Sequence, residues 1–347
     1  MAILRLGIRR KVATARILSS AVTGYRVPVR AIKSIDLEPI AACNLKCTFC
    51  RVPGWRRARE TRPMDLDLFI KILDQFPNLQ QIKIQGMGEP FMNKNLVSMI
   101  EFASVKNIET FVITNGTLLN SNLIQQVLDA GLSRLCFSLD GGTKETFEKI
   151  RVNSNFQKVI ENIKISCDLK RQKNAETCIE IRSLACTIDV FNEIPSMVRM
   201  VGQLGVDKIV LTEKMLIWSD SFRDGRIDDR PVYLDEFSDY TRVIDEAYTE
   251  AKKYDVELSV GQTVYSSKKP CSWPWGAMYV TTEGKVTPCC VIGVPEIWCM
   301  GDLQKESLED IWNNSAYREL RKQISSNKIP KLCEPCYQGI KDKAFSS

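Results

Sequence analysis

Residues 34–50 read SIDLEPIAACNLKCTFC. The first seven, 34–40, alternate apolar and polar side chains around Ile35 and Leu37, which is the pattern of a β-strand. The strand runs straight into a loop with thiols at Cys43, Cys47 and Cys50, separated by three and then two residues. No histidine occurs anywhere in the chain, so any metal is held by sulfur or oxygen. That absence excludes Ser-His-Asp and Cys-His nucleophilic sites, the usual zinc hydrolase sites and haem held by histidine. Three nearby thiolates can hold three irons of a four-iron cubane and leave the fourth iron open to another ligand. The rival arrangement is a four-thiolate zinc site made from two CxxC pairs, Cys47 with Cys50 and Cys333 with Cys336. It leaves Cys43, Cys271 and Cys289 unused.

Beyond the cysteine loop the chain alternates helical and strand patterns. Helical spacing over 64–76 is followed by strand 79–86, helix 94–106, strand 108–116 and helix 118–130. Strand 133–140, helices within 143–172, strand 177–185, a helix near 192–203 and strand 207–212 complete six β/α units. Six such units in series imply a parallel sheet with helices outside it. In such sheets chemistry gathers at the carboxyl ends of the strands. The cysteine loop, GMGEP (86–90), TNG (114–116) and SLDGG (138–142) all fall there. An irregular charged stretch, 213–235, reads as a loop covering or lining that mouth. A connecting helix over 236–254 leads to a segment, 255–347, with six cysteines, a hairpin signal at TTEGKV (281–286) and a helix over 306–324.

The 347 residues are 44% apolar and 26% charged, a globular composition. No apolar stretch approaches membrane-spanning length, and the basic N-terminus lacks the apolar core and cleavage site of a secretion signal, so a cytoplasmic location is expected. Thirteen cysteines in that setting point to metal binding or redox work rather than disulfides. The net charge of +6 is concentrated in a basic arm, 1–33, which carries eight Lys or Arg and no acid; the remainder holds 40 basic and 42 acidic residues. The arm is suited to an anionic membrane surface, nucleic acid or an acidic partner, but without an aromatic belt it reads first as a solvated lead-in. The basic loop RVPGWRRARE (51–60) raises RNA as a target through Trp55, Arg56, Arg57 and Arg59. No RNA-binding domain accompanies it, so nucleic acid is not the expected partner.

CNLKCTFC (43–50) resembles the CxxxCxxC signature of the radical S-adenosylmethionine (SAM) superfamily. GMGEP resembles that family's GGEP-type motif, and FSLDGGTKETFEKIR (137–151) resembles its segment of ribose and carboxylate contacts. The likeness covers about 34–235. It implies an α/β fold, a partial (β/α)6 parallel barrel with a small C-terminal iron–sulfur-binding α+β domain. It implies that Cys43, Cys47 and Cys50 ligate a catalytic [4Fe-4S] cluster whose open iron is chelated by SAM. Gly86, Gly88, Glu89 and Pro90 would surround the amino group. Ser138, Asp140 and Arg151 would meet the ribose and carboxylate, and Phe49 would lie near the adenine. Arg forks a carboxylate, Glu accepts from an ammonium and Gly permits close backbone approach, so the residue types suit these roles. Asn115 in TNG reads as turn chemistry.

Cys271, Cys289, Cys333 and Cys336, at intervals of 17, 43 and 2 residues, resemble the SPASM/twitch auxiliary domain of many radical SAM enzymes. Four cysteines would fully ligate one auxiliary [4Fe-4S] cluster, which suits electron transfer. The complete two-cluster pattern is not met, because only six cysteines lie beyond residue 270. Cys290 and Cys299 are left over, and with Cys186, just past a strand end, they are the candidate thiol hydrogen donors. Cys136, Cys167 and Cys178 read as small core residues.

The resemblance implies that SAM is cleaved reductively, with flavodoxin or ferredoxin as electron donor, and that hydrogen is abstracted from a substrate C–H bond. Electron uptake by the auxiliary cluster would oxidise the substrate, whereas hydrogen return from a thiol would epimerise it. Glu38, Arg182, Glu213 and Lys214 lie near strand ends as possible substrate contacts. Residues 1–33 are too short for a leader-peptide recognition domain, which tilts the expectation to a small molecule such as a sugar or aminocyclitol. The alternatives are a maturase of ribosomally made peptides and a non-catalytic iron–sulfur or zinc protein.

Overall fold

Polar side chains that satisfy free backbone N–H groups open most of the helices, so helix starts are written locally in the sequence. Asp65, Asn120, Thr143, Asn155, Thr187, Ser307 and Asn314 each accept a hydrogen bond from a backbone N–H in the first turn. The computed structural model describes residues 24–50, 52, 62–184, 187–212, 237–261, 271–334 and 336–337. The basic arm before residue 24, nearly all of the 51–61 loop and residues 213–236 lie outside these, as do Cys186, Glu213 and Lys214.

The first half follows the β/α alternation. It runs β1 (Ser34–Leu37), α1 (Leu66–Leu73), β2 (Gln81–Ile84), α2 (Leu96–Val105), β3 (Glu109–Thr114) and α3 (Ser121–Asp129). It continues through β4 (Arg134–Ser138), α4 (Lys144–Ile150), α5 (Phe156–Lys173), β5 (Cys178–Leu184), α6 (Ile188–Gln203) and β6 (Lys208–Thr212). After α7 (Tyr240–Lys253) come β7 (Glu257–Val260), β8 (Ala277–Val280), β9 (Lys285–Thr287), β10 (Gly301–Asp302), α8 (Leu308–Trp312) and α9 (Ser315–Ser325).

Among the described residues, ten strands form one open sheet in the order β10-β9-β8-β1-β2-β3-β4-β5-β6-β7. Strands β1 to β6 are parallel neighbours in chain order, as the series of β/α units requires. Two additions come from the C-terminal third. Strand β7 pairs in parallel with β6, and β8 pairs in parallel with β1, Ser34 opposite Ala277. Strands β9 and β10 fold back antiparallel, so the hairpin expected at 281–286 joins the cysteine-rich segment directly to the core sheet.

The strands alternate faces. Ile35, Leu37, Ile82, Ile84, Leu135, Phe137, Ile179, Ile181, Ile209 and Leu211 pack into the helix-facing core. The opposite, inner face carries Asp36, Lys83, Phe111, Arg134, Cys136, Glu180, Arg182 and Tyr279, which share register positions across the sheet. Arg182 on β5 acts electrostatically on Asp36 on β1. A flat sheet would separate those strands by about 19 Å, so the inner face wraps around a lumen as a partial barrel. Among the described residues no helix is long and apolar enough to cross a membrane.

Candidate active site

The loop after β1 is gripped from three later elements. The Lys46 and Thr48 N–H groups donate to the Val152 and Ile150 carbonyls at 3.0 and 2.9 Å, tying the loop to the end of α4. The Glu89 N–H donates to the Ala42 carbonyl at 2.9 Å, tying it to the end of β2. From the end of β3, the Asn115 Nδ2 donates to Asn44 Oδ1 at 2.9 Å and lies 3.8 Å from Cys43 Sγ, which also accepts from the Leu45 N–H at 3.4 Å. Asn44 in turn donates to Thr117 Oγ1 at 2.8 Å. Asn115 does make the expected turn, with Oδ1 accepting from the Thr117 N–H at 2.9 Å. Its second contact, to the cysteine loop, was not legible from TNG alone.

These residues fit a cluster-binding loop. A Cβ at Gly88 would lie 2.3 Å from the Ala42 carbonyl oxygen and 2.4 Å from that of Ile40, so only glycine lets the GMGEP turn close on the loop. Gly86 closes on Glu38 in the same way, where a Cβ would meet Cγ at 2.5 Å. Cys47 is buried and Cys43 and Cys50 are half-buried. Burial pushes the Cys43 thiol up to about 11 and raises that of Cys47 as well. Bound iron would counter this by favouring the thiolates. Among the described residues no three Cys, Asp or Glu side chains converge as they would on a single metal ion.

Glu89 is buried and fully engaged. Its carboxylate accepts from Thr114 Oγ1 at 2.7 Å, the Asn115 N–H at 2.8 Å and the Phe91 N–H at 3.2 Å, the last opening the short turn Pro90–Met92. Burial raises its pKa against those donors. The carboxylate therefore fixes the Thr114–Asn115 corner beside Cys43. Asp140 and Arg151 pair with each other. Arg151 Nε and Nη2 lie 2.8 and 2.5 Å from Asp140 Oδ2, while Asp140 Oδ1 accepts from the Leu184 N–H at 2.7 Å. Burial works to lower the Arg151 pKa, but Asp140 and the nearby Cys47 and Cys50 outweigh it and hold it up. The guanidinium lies 5.8 Å from the Phe49 ring centroid. Cys47, Cys50, Phe49, Asp140 and Arg151 thus meet at one place. Ser138 is half-buried at the end of β4, in register with Arg182.

The second cysteine group gathers around the start of β8 and the end of β9. Cys289 follows β9, and its thiol, pushed up by burial, also feels Cys271 and Cys336. Cys333 is raised to about 12 by burial and by Cys271. The Cys271 N–H donates to Tyr337 Oη at 2.8 Å. The two spare thiols diverge. Cys299 is exposed and donates to the Gly301 carbonyl at 3.4 Å. Cys290 hydrogen-bonds to Asp36 on the inner face. Cys136 and Cys167 are buried, and Cys178 is half-buried.

Residues 37–181 match the radical SAM superfamily, and residues 271–337 match the SPASM iron–sulfur cluster-binding domain. The chain belongs to the radical SAM superfamily. Its C-terminal part is a SPASM-type domain, and the cofactors of this radical SAM enzyme are [4Fe-4S] clusters and SAM. The enzyme is 24% identical over 325 residues to the tungsten-containing aldehyde ferredoxin oxidoreductase cofactor-modifying protein of Pyrococcus furiosus, covering 88% of this chain and 87% of that one. It is 23% identical to the PqqA peptide cyclase of Gluconobacter oxydans, covering 89% and 84%. Its fold matches Streptococcus suis SuiB, solved bound to the precursor peptide SuiA, with a TM-score of 0.66 and 14% identity. That match covers 83% of this chain and 66% of SuiB, so the enzyme spans about two thirds of the SuiB chain.

Proposed function

We propose that this radical SAM enzyme modifies a C–H bond of a peptide substrate. The match that carries this reading spans both domains and pairs a peptide cyclase in sequence with a precursor-peptide-bound enzyme in fold. These relatives favour the peptide alternative over the small sugar or aminocyclitol that the short N-terminal arm suggested.

When bound, the core cluster and SAM supply reductive cleavage to a 5′-deoxyadenosyl radical. Cys43, Cys47 and Cys50 would hold the core cluster, and Cys271, Cys289, Cys333 and Cys336 one auxiliary cluster. With the Glu89 carboxylate committed to three donors, the amino group of SAM falls to the backbone around Gly86, Gly88 and Pro90. Arg151 uses Nε and Nη2 on Asp140, which leaves Nη1 to take the SAM carboxylate. Ser138 would meet the ribose and Phe49 the adenine. A one-electron carrier such as flavodoxin or ferredoxin would serve as reductant. Among the described spare thiols, Cys290 is the one that reaches the inner face, and so it is the one suited to return a hydrogen to a substrate radical.

Mass spectrometry of short peptides encoded beside the gene, incubated in deuterium oxide with the reconstituted enzyme, SAM and dithionite, tests the reading. One peptide is expected either to lose two hydrogens or to gain one deuterium at a stereocentre. A sugar or aminocyclitol changing while every peptide stays intact would overturn it.

A further inference from the structure

The inner face carries a cationic cluster that the SAM contacts leave unused. Glu180, fully buried on β5, accepts from Arg134 Nη1 and from Arg182 Nε, both at 2.7 Å. The two guanidinium groups lie against the Phe111 ring, with Cζ 5.1 and 4.9 Å from its centroid. Lys83 stands next to Phe111 in register, 3.9 Å from Asp36. Three cations therefore face two carboxylates, and Asp36 also takes hydrogen bonds from Gln85 and Cys290. The carboxylate side chains are covered, at 0% and 2% exposure, whereas those of Arg182 and Lys83 are 35% and 30% exposed. Arg134 and Phe111 also line a groove of about 540 Å³ at the amino-terminal ends of β3–β5, whereas Arg182 lies at the opposite, carboxyl end of β5 in register with Ser138. Both Nη atoms of Arg182 lack a hydrogen-bond partner among the described residues.

The depth of this cluster matters. Phe111 lies three to four residues before the Thr114–Asn115 corner that holds the cysteine loop. Arg182 itself leaves β5 in register with Ser138, at the level of that corner, and its guanidinium turns back to Glu180 two residues earlier and to the Phe111 ring, which puts it about 7 Å below the corner. A substrate carboxylate lying below the SAM contacts can meet that guanidinium.

We propose that this floor is a carboxylate-binding site in which Arg182, stacked on Phe111 and clamped by Glu180, takes a carboxylate of the substrate and holds it beneath SAM. Planar guanidinium geometry suits a bidentate carboxylate, and the stack and clamp fix it before binding. In naming the ligand as part of a peptide the inference rests on the reading above; the site itself does not.

Isothermal titration of the full-length reconstituted enzyme with glutarate tests it. Glutarate is expected to bind saturably and its diamide not to bind. Arg182→Met is expected to weaken glutarate binding by about tenfold or more. Arg182→Lys, which keeps the charge without the fork, is expected to give an intermediate value, and it carries the test if the Met variant does not fold. Glutarate is expected to bind equally with SAM present. Displacement by SAM would assign the arginine to the cofactor's own carboxylate and overturn the proposal, as would equal binding of glutarate to Arg182→Met or of the diamide to the wild type. Glutarate bound through Arg182 with no peptide ever modified would leave the site standing and remove the peptide reading.

Discussion

Gly88→Ala is expected to empty the core cluster while sparing the auxiliary one, so that iron falls from about eight to about four per chain after reconstitution. The added Cβ would meet two backbone carbonyl oxygens, those of Ala42 and Ile40, at 2.3 and 2.4 Å. Neither is the end of a flexible side chain, so either the GMGEP turn or the cysteine loop must move. Moving the loop breaks the Glu89-to-Ala42 hydrogen bond and shifts Cys43 away from Asn115. The auxiliary cysteines, Cys271, Cys289, Cys333 and Cys336, lie in the C-terminal segment, outside the cysteine loop that the added Cβ displaces. Iron analysis with visible absorption checks the outcome, and 5′-deoxyadenosine formation should vanish with the core iron. A variant that keeps about eight irons and full cleavage would show that the close approach is not needed.

Asp140→Asn is expected to cost roughly 3–5 kcal/mol of stability, the usual loss when one partner of a buried ion pair is removed. The asparagine oxygen can still accept from the Leu184 N–H, but the Arg151 guanidinium is left buried without its counter-charge. It also loses the contact that orients it beside Phe49 and the cysteine loop. The double variant Asp140→Asn/Arg151→Met is expected to recover much of that loss, because the unpaired charge goes as well. Urea unfolding of the wild type, both single variants and the double variant measures the coupling. Simple additivity of the single losses would contradict the pairing.

What the sequence revealed and what it concealed divide along chain distance. The six core strands were legible because each carries its own apolar alternation and each β/α unit is local. Strand β7 was not, because Glu257–Val260 is short and no residue in it is fully buried, a weak pattern for a core strand. The parallel pairing of β8 with β1 joins Ser34 to Ala277 and has no local signal at all. The site follows the same rule. CNLKCTFC marked the cysteine loop, and the residue types at Glu89, Asp140 and Arg151 were noted. Their partners were not readable, since Glu89 meets Thr114 and Asn115 only through the β2–β3 register. The pairing of Asp140 with Arg151 requires α4 to fold back between them. Arg182 could be picked as a strand-end charge, but its stack on Phe111 depends on two strands between which β4 intervenes.

The central claim is that the Cys43 loop supports reductive cleavage of SAM. Its most direct test is 5′-deoxyadenosine formation by the oxygen-protected, reconstituted enzyme given SAM and dithionite, beside the Cys43→Ala/Cys47→Ala/Cys50→Ala variant. The wild type is expected to release 5′-deoxyadenosine and methionine in equal amounts, and the variant to release neither while retaining its auxiliary iron. Cleavage by the triple variant, or none by a wild type carrying about eight irons, would contradict the account.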